Sequence, residues 1–243
     1  MGMPIEIEIH VADRPAADVA TLEAAFSYLI SVDNRFSTYK KDSEISRINR
    51  GEISVDEISA EMREVFAIAE KTREESNGYF DIHRPDGRID PSGIVKGWAI
   101  KNAAEIIRTG HQNFFVNAGG DIAMSGKNSE GGEWSVGIRN PFNINEIVKV
   151  VYPRGKGIAT SGSYIRGNHI YNPHNSSAEL KEIVSISVIG PDVLEADRFA
   201  TAAFAMGKEG IMFIENLAGL EGYAIDADGI ATMTSGFAAY TKL

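Results

Sequence analysis

The sequence predicts an α+β fold: a mixed, largely antiparallel sheet core flanked by helices. Three observations carry this. Segments with the 3.6-residue apolar period of helices and segments with the two-residue period of strands follow one another irregularly, without a steady strand–helix alternation. The middle of the chain holds several short strand patterns spaced like hairpins. The sequence also lacks G-x-G-x-x-G, G-x-x-x-x-G-K-[ST] and G-x-S-x-G, which removes the main support for Rossmann, P-loop and α/β-hydrolase folds. No repeat, low-complexity tract or Pro/Ser-rich linker divides the chain, so residues 1–243 read as one continuous domain.

The elements follow in order. Ile5, Ile7 and Ile9 alternate within residues 3–10, a half-buried strand. Residues 16–32 place Val19, Leu22, Ala25, Phe26 and Leu29 at spacings of three and four, a helix face, with Asp13 as an upstream cap. Residues 36–49 read as an irregular loop in which Asp42 or Ser43 caps a short helix carrying Ile45 and Ile48. A third helix spans 59–75, with Met62, Val65, Phe66 and Ala69 on one face, and stops near Asn77-Gly78. Asp90-Pro91-Ser92-Gly93 opens a helix over 94–108, and 113–116 is a buried strand running into Asn117-Ala118-Gly119-Gly120-Asp121. Strand patterns follow at 134–138, 147–152, 157–160, 169–171 and 183–189. Helices then span 195–206 and 209–217, and strands around Tyr223 and Met233 close the chain.

Composition narrows the function. Lys and Arg number 24 against 34 Asp and Glu, a formal net charge of −10. Polymeric nucleic acids and anionic lipid surfaces demand broad basic surfaces, so neither is an expected partner. The absence of cysteine excludes disulfides, thiolate nucleophiles and cysteine metal sites. The N-terminus reads as a strand with no signal-peptide pattern, and no apolar run reaches the roughly 18 residues a membrane span needs, so the expected location is the cytoplasm.

The chemistry-bearing residues sit in small-residue turns. At residues 90–97, helix-terminal amides and Lys96 suit an anion such as phosphate; alternatively Asp90 caps the helix and Lys96 is a solvated charge. Residues 117–121 could bring backbone against a ring or pyrophosphate, or form a tight turn. Asp197 and Thr201 share a helix face as two hard oxygen donors suited to magnesium; the alternative is an Asp paired with an Arg and a Thr bonded to its own helix. His169 could accept a proton near neutral pH or be structural, and Arg166 could bind phosphate or pair with a carboxylate. Phe36, Tyr39 and the Tyr79-Phe80-Asp81 stretch offer rings for stacking or for the core.

In chain order these segments resemble the ApbE-like flavin transferases, the FAD:protein FMN transferase family. The resemblance spans nearly the whole chain: Met1-Gly2, FSTYKKDSEISRIN at 36–49, GYFD at 78–81, DPSGIVKGWA at 90–99, VNAGGDI at 116–122, ATSGSY at 159–164, HIYNP at 169–173 and EADRFATAAFAMG at 195–207. It implies a T-fold-related architecture that binds FAD as substrate in a cleft, with Mg2+ against the pyrophosphate. By motif, Asp197, Thr201 and a backbone oxygen at Gly93 would hold the metal. Met1, Tyr39, Tyr79, Phe80, Asp81, Asp90, Lys96, His169 and Ile170 would contact FAD, and His169 would be the base. The implied reaction transfers FMN to a threonine or serine hydroxyl of an acceptor protein and releases AMP; some relatives instead hydrolyse FAD to FMN and AMP, and a non-catalytic flavin-binding module is a further alternative. Five positions depart from the family pattern: Met3 where Thr is usual, Asn172, Asn175 and Ser176 where His-Ile-x-Asp-Pro-x-Thr-Gly is common, and Arg198 where a small residue stands beside the metal Asp. Arg198 is therefore a rival to a cation for Asp197.

Overall fold

The structure, a computed structural model, describes residues 2–10, 15–163, 170–175 and 180–242. Nine strands and six α-helices occur among them: β1 (Ile5–Ile9), α1 (Pro15–Phe36), α2 (Glu44–Asn49), α3 (Ala60–Glu75), α4 (Ser92–Arg108), β2 (Phe114–Ala118), β3 (Asp121–Ser125), β4 (Val136–Asn140), β5 (Asn143–Val151), β6 (Gly157–Gly162), β7 (Ile183–Gly190), α5 (Val193–Ala205), α6 (Gly210–Glu215), β8 (Glu221–Asp226) and β9 (Ala231–Met233). Seven strands form one sheet in the order β1-β2-β3-β6-β7-β8-β9. Every neighbouring pair in it is antiparallel. The α+β prediction therefore holds.

Strand alternation separates two cores. On one face Ala159, Ile186 and Val188 meet Ala196, Ala200 and Ala203 of α5, while Val116 and Ala123 meet Ile100 and Ala104 of α4. On the other face Ile122, Met124, Ile158, Ile189 and Ile225 pack beneath Trp134, Val136, Ile138 and Val151 of the β4–β5 hairpin. A further core joins α1, α2 and α3 to Trp98 and Ala99 of α4. Thus α4 and α5 lie between the sheet and the outer helices.

Local chemistry explains most element ends. Ser43 accepts the Ser46 amide and caps α2; Ser59 accepts the Met62 amide and caps α3. Asp192 accepts the Glu195 amide at the start of α5. Between β2 and β3, Gly119 and Gly120 both have positive φ, 62° and 99°, and Ala118 pairs with Asp121 across them. That is a two-residue hairpin turn requiring two left-handed residues, which glycine supplies.

Several expectations need correction. Helix α1 runs to Phe36 and buries Ala25, Leu29, Val32 and Phe36, leaving Val19 and Phe26 exposed. The longer helix turns a different stripe inward. Strand β3 was not predicted, because its Asp-Ile-Ala-Met-Ser has no alternation when both faces are covered. Helix α6 is shorter than predicted, following a 3₁₀ segment at Gly207–Glu209 and ending at Glu215. Of the strand predicted at 169–171, Ile170 and Tyr171 lie in no strand and His169 lies outside the described residues, as does Asp13.

Helix α4 approaches α5 at Gly97. A Cβ there would fall 2.8 Å from the Asp197 Cβ and 3.0 Å from the Leu194 Cα. Gly97→Ala should therefore cost about 1–3 kcal/mol by forcing the two helices apart, and thermal denaturation should show a Tm lower by several degrees. An unchanged Tm would mean that the helix contact is looser than these distances require.

Candidate active site

A cleft opens at the N-terminal end of α4. Its walls come from Tyr79, Phe80, Asp81 and Arg84 in the α3–α4 connection, Asp90, Ser92, Gly93 and Lys96 at the helix start, Gly119 of the hairpin turn, and Thr160 to Gly162 at the end of β6. Ile170, Tyr171 and Pro173 complete one side, and Asp197 and Thr201 of α5 the floor.

Beneath the cleft lies a buried charge cluster. Lys96 Nζ is 2.6 Å from Asp121 Oδ2 and 3.7 Å from Asp197 Oδ1. Asp121 is fully buried and Asp197 is 2% exposed. Asp197 Oδ2 accepts the Gly97 amide at 2.8 Å, and Asp121 Oδ1 accepts the Thr160 amide at 3.1 Å. The cluster is thus positioned by α4, α5, β3 and β6 together. One ammonium faces two carboxylates, and burial pushes the Asp197 carboxyl up to about 8, with Asp121 adding to the rise and Lys96 opposing it.

Such a cluster suits an added cation. Asp121 Oδ2 is buried and, apart from its contact with the Lys96 ammonium, makes no hydrogen bond among the described residues. Thr201 Oγ1, one turn beyond Asp197, lies 3.4 Å from Ser161 Oγ, and the residue lines the cleft. Gly93, one turn before Gly97 in α4, lines the same cleft and has its carbonyl at the helix start. Carboxylate, hydroxyl and carbonyl oxygens are the donors of a hard divalent ion, and Mg2+ characteristically uses one or two carboxylates and leaves other positions to water or phosphate. No cluster of three His, Cys, Asp or Glu side chains able to hold a metal occurs among the described residues.

Arg198 does not compete for Asp197. Its guanidinium bonds Glu195 at 2.9 and 2.5 Å, Thr72 Oγ1 at 3.2 Å and Glu75, and it lies over the Phe199 ring. Adjacent helix residues point about 100° apart, so Arg198 turns toward α3 while Asp197 faces α4. The alternative of an Asp–Arg pair is overturned: the partner of Asp197 is Lys96, which is itself far from a solvated charge.

The other predicted residues divide clearly. Tyr79, Phe80, Asp81, Asp90, Gly93, Lys96, Ile170, Asp197 and Thr201 all line the cleft. Phe80 is buried against Gly93, where a Cβ would sit 2.9 Å from its ring. Asp90 accepts the Ser92 amide at 3.2 Å, a local turn bond, while its other oxygen faces Arg84. Tyr39 is 98% exposed and is not among the cleft-lining residues. Met1, His169 and Arg166 lie outside the described residues. Asn172 accepts the His174 amide at 2.9 Å, and His174 Nε2 lies 2.9 Å from the Asn77 carbonyl oxygen.

A family model described as the ApbE family matches residues 1–84 and 83–225. The chain belongs to the ApbE family. Among its relatives, the FAD:protein FMN transferase of Vibrio cholerae is 26% identical over 86% of this chain and 80% of its own length, and that of Haemophilus influenzae is 25% identical over 94% and 84%. The Escherichia coli K12 protein of the same name is 32% identical over 62% of this chain and 46% of its own length. The solved flavin transferase ApbE from Vibrio cholerae superposes with a TM-score of 0.86 at 23% identity, covering 99% of this chain and 96% of that one. An ApbE protein from Thermotoga maritima gives 0.84 at 19% identity, covering 99% of each. These likenesses establish the shared ApbE fold. No described helix is long and apolar enough to cross a membrane.

Sequence reasoning passed over Asp121, Gly97, Arg84 and Tyr171. For Asp121 the signal was present: an acidic residue that opens an apolar strand straight after a glycine turn must be buried and needs a partner.

The raised Asp197 carboxyl makes stability depend on pH. The folded chain holds this proton more tightly than the unfolded chain, where the carboxyl titrates near 3.8. Unfolding free energy should therefore fall as pH rises from 3.8 toward about 8. Urea denaturation with a chelator present should show the wild type losing more stability than Asp197→Asn between about pH 5 and about pH 8. Equal losses in the two proteins would remove Asp197 as the source.

Proposed function

We propose that this protein is a magnesium-dependent FAD:protein FMN transferase that moves FMN from FAD to a threonine or serine hydroxyl of an acceptor protein and releases AMP. The observation that carries this reading is the Asp121–Lys96–Asp197 cluster with Thr201 at the floor of a ring-lined cleft. Family membership and the names of the relatives support it.

Asp197, Thr201 and the Gly93 carbonyl would hold Mg2+. When bound, the ion would neutralise the diphosphate and stabilise charge on the departing AMP. Lys96 is fixed by its two carboxylates and adds a second positive charge at the floor. Tyr79 and Tyr171 border the opening and give a planar ring faces to stack on. In the transfer, the acceptor hydroxyl oxygen bonds to the FMN phosphorus and the bond to the AMP phosphate breaks, so that AMP leaves with the bridging oxygen. His169 would take the hydroxyl proton. Its sequence neighbour Ile170 lines the cleft, which supports this assignment. Burial of the carboxylates beneath the floor keeps them from being the base, because both already face Lys96.

Incubation with FAD, Mg2+ and an acceptor protein should yield AMP and an acceptor heavier by one FMN-derived group in the mass spectrum. AMP and free FMN without labelling would replace transfer by hydrolysis, and bound but intact FAD would leave a flavin-binding module. Asp197→Asn should lower turnover by about 10²-fold or more. His169→Ala should lower it by about 10²–10⁴-fold, and a rate insensitive to that change would make His169 structural.

A further inference from the structure

The hairpin between Asp81 and Asp90 carries a cation that the proposed chemistry has not used. His83 and Ile89 pair across an antiparallel bridge, the Arg84 amide donates to the Arg88 carbonyl at 2.8 Å, and the Gly87 amide returns to the Arg84 carbonyl at 2.9 Å. Gly87 takes the left-handed conformation, φ 82°, that this tight return requires. The backbone of Arg84 is thereby fixed at the wall of the cleft, which its side chain lines.

Its guanidinium is held but not spent. Nη1 donates to Asp90 Oδ2 at a long 3.3 Å, and the group lies 5.9 Å from the Tyr171 ring centroid. Tyr171 is in turn anchored through its hydroxyl to the His83 carbonyl at 3.1 Å. Arg84 Nε is buried and has no hydrogen-bond partner among the described residues. A desolvated N–H on a charged group calls for an acceptor, and a guanidinium edge presents parallel donors matched to the paired oxygens of a phosphate. Lys96, the other cation among the described lining residues, already faces Asp121 and Asp197.

We infer that Arg84 is a substrate-binding residue for the diphosphate of the dinucleotide, donating from the Nε edge of its guanidinium to phosphate oxygens while Asp90 and Tyr171 orient it. The inference rests on the reading of the cleft as an FAD site. It also gives Asp90 a role as a positioning residue, acting through Arg84.

Arg84→Ala and Arg84→Lys, made in the full chain, test this by calorimetric titration with FAD, ADP and riboflavin in the presence of Mg2+. Both variants should bind FAD and ADP at least about tenfold more weakly while riboflavin binding is unchanged. Lysine should not restore the loss, since a point charge lacks the paired donors, and because it keeps the charge and the aliphatic stem it guards against misfolding as the cause. Unchanged ADP and FAD binding would overturn the inference. So would an equal loss for riboflavin, which would make Arg84 and Tyr171 a platform for the ring. Failure of the wild type to bind FAD would instead remove the reading of the cleft itself, and the inference with it.

Discussion

Lys96 between Asp121 and Asp197 is the interaction on which the arrangement of this protein depends. A single ammonium facing two buried carboxylates draws groups from two helices and a strand to one point, with a fourth element donating a backbone amide to Asp121. Buried ions seldom add net stability against apolar replacements, yet removing one partner from such a set is severely destabilising. The cluster therefore acts as a constraint on geometry. Helix α4 must present Lys96 and the Gly97 amide to α5, and β3 must begin at Asp121, or a buried charge is left unmatched.

The surrounding sequence reads as the means of meeting that constraint. Alanines at 196, 200 and 203 let α5 lie close on the sheet, and Gly97 lets α4 lie close on α5. The Gly119-Gly120 turn puts Asp121 at the start of β3 and leaves Gly119 on the cleft wall, so the two readings of that glycine pair were not exclusive. Arg198, one of the departures from the family pattern, is absorbed by Glu75 and Glu195 away from Asp197. Its charge is matched locally, so the departure leaves the floor of the cleft untouched.

Much of this was legible beforehand because it is local. Apolar periodicity and caps located all six helices, α1 and α6 with different ends, and most of the strands, and Ser43, Ser59 and the turn at Asp90 mark helix starts by side-chain chemistry within four residues. The i, i+4 spacing of Asp197 and Thr201 was enough to put both at one site. What escaped was set by partners distant in sequence. Strand β3 is covered on both faces and has no alternation to detect. The face of α1 that is buried depends on where α4 packs, and the pairing of Asp197 with Lys96 rather than an arginine depends on how two helices cross. Tyr39 carried its expectation from motif alone, and its exposure follows from the turn between α1 and α2, which offers it no neighbour to pack on.

The net charge of −10 would seem ill suited to a substrate with two phosphates. Electrostatics in a cleft are decided by what is desolvated there, not by the sum over the surface. Asp81, Asp90 and Asp197 line the cleft with Arg84 and Lys96, and Asp121 stands behind them, so among the described residues of the site carboxyl groups outnumber cations. A diphosphate entering alone would add to that deficit; one entering with a divalent cation would relieve it, because the cation meets carboxylates and phosphates at once. An acidic floor therefore favours a diphosphate that arrives with a divalent cation over one that arrives alone. On the function proposed above, two tasks would be separate: the carboxylates would recruit the cation, while Arg84, which lines the cleft outside the cluster and whose buried Nε has no hydrogen-bond partner among the described residues, would donate to phosphate oxygens.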